Sequence, residues 1–170
     1  SAFGKNLIEG ILKIAIFIGY TALTALTKDI RRTYEYHGAE HKTIACYEHE
    51  EELTVENVKK YTRFHPRCGT SFIFLVLFIS IFVNTIFRVS WASILLRVVI
   101  KIALLPIVTG IAYELIRLAG KYDNIFTKII SAPGLWIQRI TTSEPDESQI
   151  ECAIAALKAC IPENKEDDKW

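Results

Sequence analysis

Three long apolar runs dominate this chain and restrict what it can fold into. Leu7 to Leu26 is broken only by Glu9 and Lys13, and Ser71 to Phe87 carries no charge at all. Trp91 to Ala119 keeps Arg97, Lys101, Glu114 and Arg117 toward its two ends. A helix needs about 20 apolar residues to cross a bilayer, whereas a buried strand runs roughly 4–8. The runs therefore predict three transmembrane helices. Glu9 and Lys13, one helical turn apart, are placed to pair. Pro106 and Gly110 predict a bend in the third run, and Trp91, Arg97 and Lys101 read as anchors at a membrane boundary. Core helices of a soluble all-α domain are the competing reading, and runs this long sit badly in a single core of 170 residues. A cleaved leader is not indicated, because Thr27-Lys28-Asp29 follows the first run in place of small residues.

Charge orients the spans. Eight Lys or Arg residues, Lys28 to Arg67, lie between the first and second runs, and Arg88 alone lies between the second and third. Six more follow the third run. The positive-inside bias places residues 28–70 and the C-terminal part in the cytoplasm and the 88–90 turn outside. With three spans the N-terminus is outside too, unless a further span precedes it. The expected class is thus an all-α polytopic membrane protein. Its segments are 1–27 (first span), 28–70 (cytoplasmic), 71–119 (hairpin), 120–161 (cytoplasmic or interfacial helices) and 162–170 (charged tail). Overall, 20 Lys and Arg against 19 Asp and Glu leave +1. That balance excludes a nucleic-acid groove and leaves the lipid bilayer and a protein as partners. Four cysteines are too few for a disulfide scaffold.

The cytoplasmic parts have their own punctuation. Thr33 to His49 predicts a helix, and Thr54 an N-cap with Leu53 and Val58 as a hydrophobic staple. Phe126 to Ile140 is amphipathic and interrupted by Pro133-Gly134, with Trp136 and Arg139 suited to the headgroup layer. Ser143 is the expected cap of a last helix, with Asp146 as its reciprocal partner. Ile150, Ile154, Leu157 and Ile161 recur on one face of that helix, so it docks. Cys46 reads as a small buried hydrophobe, and Cys152 and Cys160 are expected to pack.

All four histidines fall between positions 37 and 65. His37 and His41 are i and i+4 on the predicted helix, so both rings leave one face and can reach one ion. The string His37-Gly38-Ala39-Glu40-His41 also fits the H-x-x-E-H pattern of inverzincins, in which the glutamate activates water. His65-Pro66-Arg67-Cys68-Gly69 has the layout of a zinc knuckle. Three imidazoles and a thiolate, from His37, His41, His65 and Cys68, make a tetrahedral set suited to zinc. Glu114 is the alternative third ligand, against the plainer reading of an i, i+3 pair with Arg117. Gly38 predicts a close backbone approach, for which the 65–69 turn is the natural candidate. His49 reads as an exposed residue.

Tyr36-His37-Gly38-Ala39-Glu40-His41-Lys42-Thr43 and His65-Pro66-Arg67-Cys68-Gly69-Thr70-Ser71-Phe72 resemble signature stretches of the YqhQ-like family of bacterial membrane proteins. Tyr113-Glu114, Ser131-Ala132-Pro133-Gly134-Leu135-Trp136, Thr141-Thr142, Glu144-Pro145-Asp146 and Ala153 to Ala159 extend the likeness over about residues 30–160. Members carry additional N-terminal sequence, and the family has been labelled a predicted metal-dependent enzyme. The resemblance thus implies membrane and metal without a substrate.

Two functions compete for these residues. In the first, His37, His41, His65 and Cys68 close a structural zinc site that clamps a partner-docking module, as in membrane-protein biogenesis or quality control. In the second, His37, His41 and Glu114 hold zinc and Glu40 is the general base of a membrane-embedded hydrolase. A transporter built on Glu9, Lys13, Arg97 and Lys101 has too few spans. The clamp uses every ligand of the knuckle and is favoured here.

Overall fold

A computed structural model describes residues 2–86, 93–122 and 124–162, which form seven helices and no strand. They are α1 (Ala2–Thr24), α2 (Lys28–Glu48), α3 (Val55–Lys59), α4 (Gly69–Ile86), α5 (Ile94–Lys121), α6 (Ile125–Thr141) and α7 (Glu147–Cys160). The expected 88–90 turn, the anchor Trp91 and the tail from residue 163 lie outside the described residues. The chain divides into two compact units, Ser1–Thr21 with Pro66–Ile137 and Ala22–His65 with Gln138–Trp170.

The first unit is built on the apolar runs. Leu7–Thr24 of α1 and Ile94–Lys121 of α5 are long and apolar enough to cross a membrane, while the apolar part of α4, Gly69–Asn84, is shorter. The described helices thus contain two of full spanning length where three were expected. Only 11% of the α1 window and 6% of the α5 window is buried, unlike the core helix of a soluble domain. Leu95 and Ile102, at 76% and 66% exposed, typify the outward apolar surface. Where the helices touch, small residues let them approach. Ala112 is fully buried in the α4–α5 contact with Ile79 and Val108. A Cβ on Gly10 would fall 2.5 Å from Cγ2 of Ile81, so glycine brings α1 against α4. Glu9 pairs with Lys13 at 2.6 Å, as its spacing predicts. Pro106 and Pro133 each lie inside a helix, so the expected break at Pro133-Gly134 is absent. One helical hydrogen bond is lost there, and Ile129, whose carbonyl loses its partner, is exposed.

The second unit packs α2, α3 and α7 around Ala39, Cys46, Val58, Ile150 and Ile154, with Leu53 against them. Thr54 caps α3 as expected, its hydroxyl accepting from the Asn57 N–H at 3.3 Å. Helix α2 starts earlier than its predicted Thr33. It ends in a Schellman arrangement, with the Glu51 N–H donating to Cys46 O and the Glu50 N–H to Tyr47 O. Glu50 holds the left-handed position at φ 56°, where glycine is usual. The cap of α7 is Asp146 and not Ser143. Its carboxylate accepts from the Gln149 N–H at 2.9 Å, and the Gln149 side chain accepts from the Asp146 N–H. The hydroxyl of Ser148 and the Gln149 N–H hold the Asp146 carboxyl below its usual range. That cap is therefore in force above the ordinary aspartate value and is lost as pH falls through the lower folded value. Ser143 instead donates its N–H to Tyr34 O at 2.9 Å. Ile150 and Ile154 are buried as their period predicts. Cys46 is buried, and burial pushes its thiol up, whereas Cys152 and Cys160 are exposed. That exposure corrects the expectation that they pack.

The close approach predicted at Gly38 exists, but its partner is the 143 segment and not the 65–69 turn. A Cβ at Gly38 would lie 2.1 Å from the Ser143 carbonyl oxygen. Gly38→Ala is expected to destabilise by about 1–3 kcal/mol, because a backbone must move. Gly19→Ala, also in a helix interior, meets nothing within 4 Å and is the control, expected to hold or slightly raise stability in the same thermal melt. Glu50→Gly relieves a left-handed side chain and is expected to raise stability by about 0.5–1 kcal/mol.

Candidate metal centre

Helical spacing puts His37 and His41 on one face of α2, with ring centroids 4.3 Å apart. Main-chain carbonyls orient both rings. Nδ1 of His37 donates to Thr141 O at 2.8 Å, and Nδ1 of His41 donates to Arg63 O at 2.7 Å. A carbonyl oxygen only accepts, so the proton of each neutral ring sits on Nδ1 and the lone pair on Nε2. Metal-binding imidazoles have this same outer contact, which fixes tautomer and ring direction together.

The carbonyls are themselves placed. Arg63 donates through Nη1 to Thr142 Oγ1 at 2.8 Å and to Thr142 O, joining the chain after α3 to the chain after α6. Lys42, nearly buried, reaches Glu144 at 2.7 Å, and Arg63 lies 3.7 Å from the same carboxylate. Their acid, Glu144, lies 102 residues from Lys42 and 81 from Arg63 and has no local signal.

His65 joins the group, its ring centroid 5.7 Å from that of His41. The amide of Gln138, fully buried, holds the His65 main chain on both sides. It accepts from the His65 N–H at 2.8 Å and donates to the His65 carbonyl at 2.7 Å. Nε2 of His65 lies 3.3 Å from a Glu48 carboxylate oxygen. Gln138 was not singled out from sequence, because a glutamine beside an arginine reads as a solvated position. His49 is exposed as expected and stacks near Tyr61 at 5.0 Å.

Cys68 belongs to the other unit, where it stands just before α4 and is buried. Its Sγ accepts from the Thr70 N–H at 3.3 Å, in the manner of a helix cap. Glu40 is exposed on α2. Glu114 is exposed and lies 3.4 Å from Arg117, the plain i, i+3 pair.

The model of the family described as "Protein of unknown function (DUF1385)" matches residues 1–163. The chain belongs to this family. It is also 42% identical over 155 residues to the uncharacterized protein YqhQ of Bacillus subtilis (strain 168). That match covers 91% of this chain and 48% of the relative, so the chain spans about half the length of the curated relative it matches. No solved structure matches. The resemblance read from the two signature strings is therefore a family membership, and both strings lie inside the matched region.

Gln138 gives a direct test of how the histidine turn is held. Gln138→Glu keeps an acceptor for the His65 N–H but loses the donor to its carbonyl. It is expected to destabilise by about 1–3 kcal/mol, the cost of one unpaired buried group. Gln138→Ala leaves both unpaired, and its thermal midpoint is expected to fall further.

Proposed function

We propose that this chain is a membrane-anchored metal-binding protein whose cation is held by the paired imidazoles of α2. The donors are His37, His41 and Cys68, a group able to hold a metal ion. The observation that carries this reading is the pair of imidazoles one turn apart, each with Nδ1 donated to a main-chain carbonyl. An exposed or merely packed histidine pair has no need of two matched outer contacts. Imidazole and thiolate donors favour zinc over magnesium or calcium. When bound, such an ion supplies folding free energy by cross-linking its ligands.

The residues around the donors have separable tasks in this reading. Thr141 O and Arg63 O keep Nε2 of the two helical histidines available as the electron pair. The Thr70 N–H donates to the Cys68 sulfur at the start of α4, where a helix favours an anion. Gln138 holds the His65 main chain, so that His65 is the fourth candidate donor. With His65 bound the site is closed and structural, and the aqueous unit is a clamped module. We place that module on the cytoplasmic face because residues 28–70 hold eight Lys and Arg residues, whereas Arg88 alone lies between the second and third apolar runs. We take its role to be docking a protein partner at the inner membrane, as in membrane-protein biogenesis or quality control.

Three donors without His65 leave one tetrahedral position for water, which supports the hydrolase as the second reading. The form of it that uses Glu114 as ligand draws no support from a carboxylate exposed beside Arg117. Glu40 remains its candidate general base.

Elemental analysis of the purified full chain tests the proposal. About one zinc-class ion per chain is expected, falling roughly tenfold in His37→Gln and in Cys68→Ser, as for loss of one ligand. Glu40→Gln is expected to keep the metal. A metal-free protein, or full occupancy in Cys68→Ser, overturns the assignment. Loss of metal in His65→Gln selects the closed clamp, and retention selects the open site.

A further inference from the structure

We propose that α6 lies flat in the headgroup layer of the membrane and binds anionic phospholipid through Lys128 and Arg139. The inference rests on the reading of α1 and α5 as membrane spans, and its evidence is separate from the metal centre.

Polarity around α6 is reversed from that of a surface helix in water. Its buried positions include Thr127, Gly134, Gln138 and Thr141 beside Ile137. The outward positions are apolar: Ile125 is 78% exposed, Phe126 62%, Ile129 65% and Trp136 54%. Ile125, Ile129 and Trp136 follow one another at helical spacing, with exposed Pro133 beside them, so they form one continuous stripe. In water such a stripe is a liability, whereas the acyl boundary of a bilayer solvates it.

A packing contact sets the level of the helix. Gly134 on its inner side meets Ser71 in the first turn of α4, where a Cβ would fall 2.6 Å from that of Ser71. The chain entering α4 meets the charged end of the α5 span, where a Cβ on Gly120 would fall 2.4 Å from the Arg67 side chain, so the middle of α6 lies at that membrane boundary. Trp136 is the residue type that prefers this level.

Charge selects the lipid. Helix α6 contains Lys128 and Arg139 and no Asp or Glu. Both cations are exposed, and helical geometry puts both on the same edge of the apolar stripe. A cationic edge beside an apolar stripe suits an anionic phosphate ester above an acyl chain. A protein partner covering the stripe would leave those two charges facing its own apolar core.

The test uses the full chain in nanodiscs, with Trp91→Phe and Trp170→Phe so that Trp136 is the one indole. Quenching by lipids labelled near the headgroup is expected to exceed quenching by lipids labelled at mid-chain. Aqueous iodide is expected to quench Trp136 several-fold less than free tryptophan. With phosphatidylglycerol in the disc, headgroup-labelled anionic lipid is expected to quench several-fold more than its zwitterionic counterpart. Lys128→Gln with Arg139→Gln should abolish that preference. A control chain with Leu105→Trp in α5, and Phe at the three native positions, reports whether that helix is in the bilayer. Mid-chain quenching of the control together with iodide-accessible Trp136 overturns the proposal and leaves the spans intact. No lipid quenching of the control overturns the membrane reading itself. Equal quenching by anionic and zwitterionic lipid overturns the anionic assignment. Protection of Trp136 that depends on chain concentration, with energy transfer between labelled copies, overturns lipid as the occupant in favour of a second copy.

Discussion

The second unit depends on one close contact, the Ser143 carbonyl laid against the bare Cα of Gly38. With no side chain at that position, the chain from Thr141 to Asp146 runs along α2 at backbone distance. That path delivers the Thr141 carbonyl to His37 and the Thr142 carbonyl to Arg63, and it brings Glu144 to Lys42. The Ser143 N–H meanwhile bonds Tyr34 O, one turn before His37. A glycine in a helix interior costs about 1 kcal/mol relative to alanine, and here that cost is offset by the polar contacts it admits.

Those contacts decide chemistry as well as packing. An imidazole on a helix can present either nitrogen, and its tautomer follows whichever partner the other nitrogen finds. Carbonyl partners at His37 and His41 settle that choice the same way at both rings. His65 is held differently, by its main chain through Gln138, with its ring beside Glu48. Two kinds of restraint thus act on three histidines that look equivalent in the sequence. The difference bears on whether the centre is closed by four protein donors or has a position for water.

Much of the framework was legible from periodicity and composition. Glu9 with Lys13, Glu114 with Arg117, the Thr54 cap and the buried Ile150 and Ile154 all involve residues within one or two helical turns. Each is a local consequence of helical geometry. The misreadings have a common cause as well. Ser143 looked like a cap because its hydroxyl chemistry suits one, but its N–H is engaged by Tyr34, and Asp146 with Gln149 makes the better box. Cys152 and Cys160 were expected to pack because α7 is rich in alanine. Alanine lines its outer face too, and the residues that dock are the isoleucines. Pro133 was read as a break, yet a helix tolerates proline where the orphaned carbonyl is on an exposed side.

From the amino-acid order alone followed an all-helical chain with long apolar segments, and a cluster of soft and borderline ligands confined to residues 37–68. Spacing along a helix sets which side chains share a face, and side-chain type sets which ions they suit. Tertiary structure alone decided which main-chain oxygens meet His37 and His41, what lies against Gly38, and that Gln138 holds His65. Those partners are 22 to 105 residues apart in sequence. No periodicity reaches across such separations, because they are set by how helices from distant parts of the chain pack and not by the turn of any one of them.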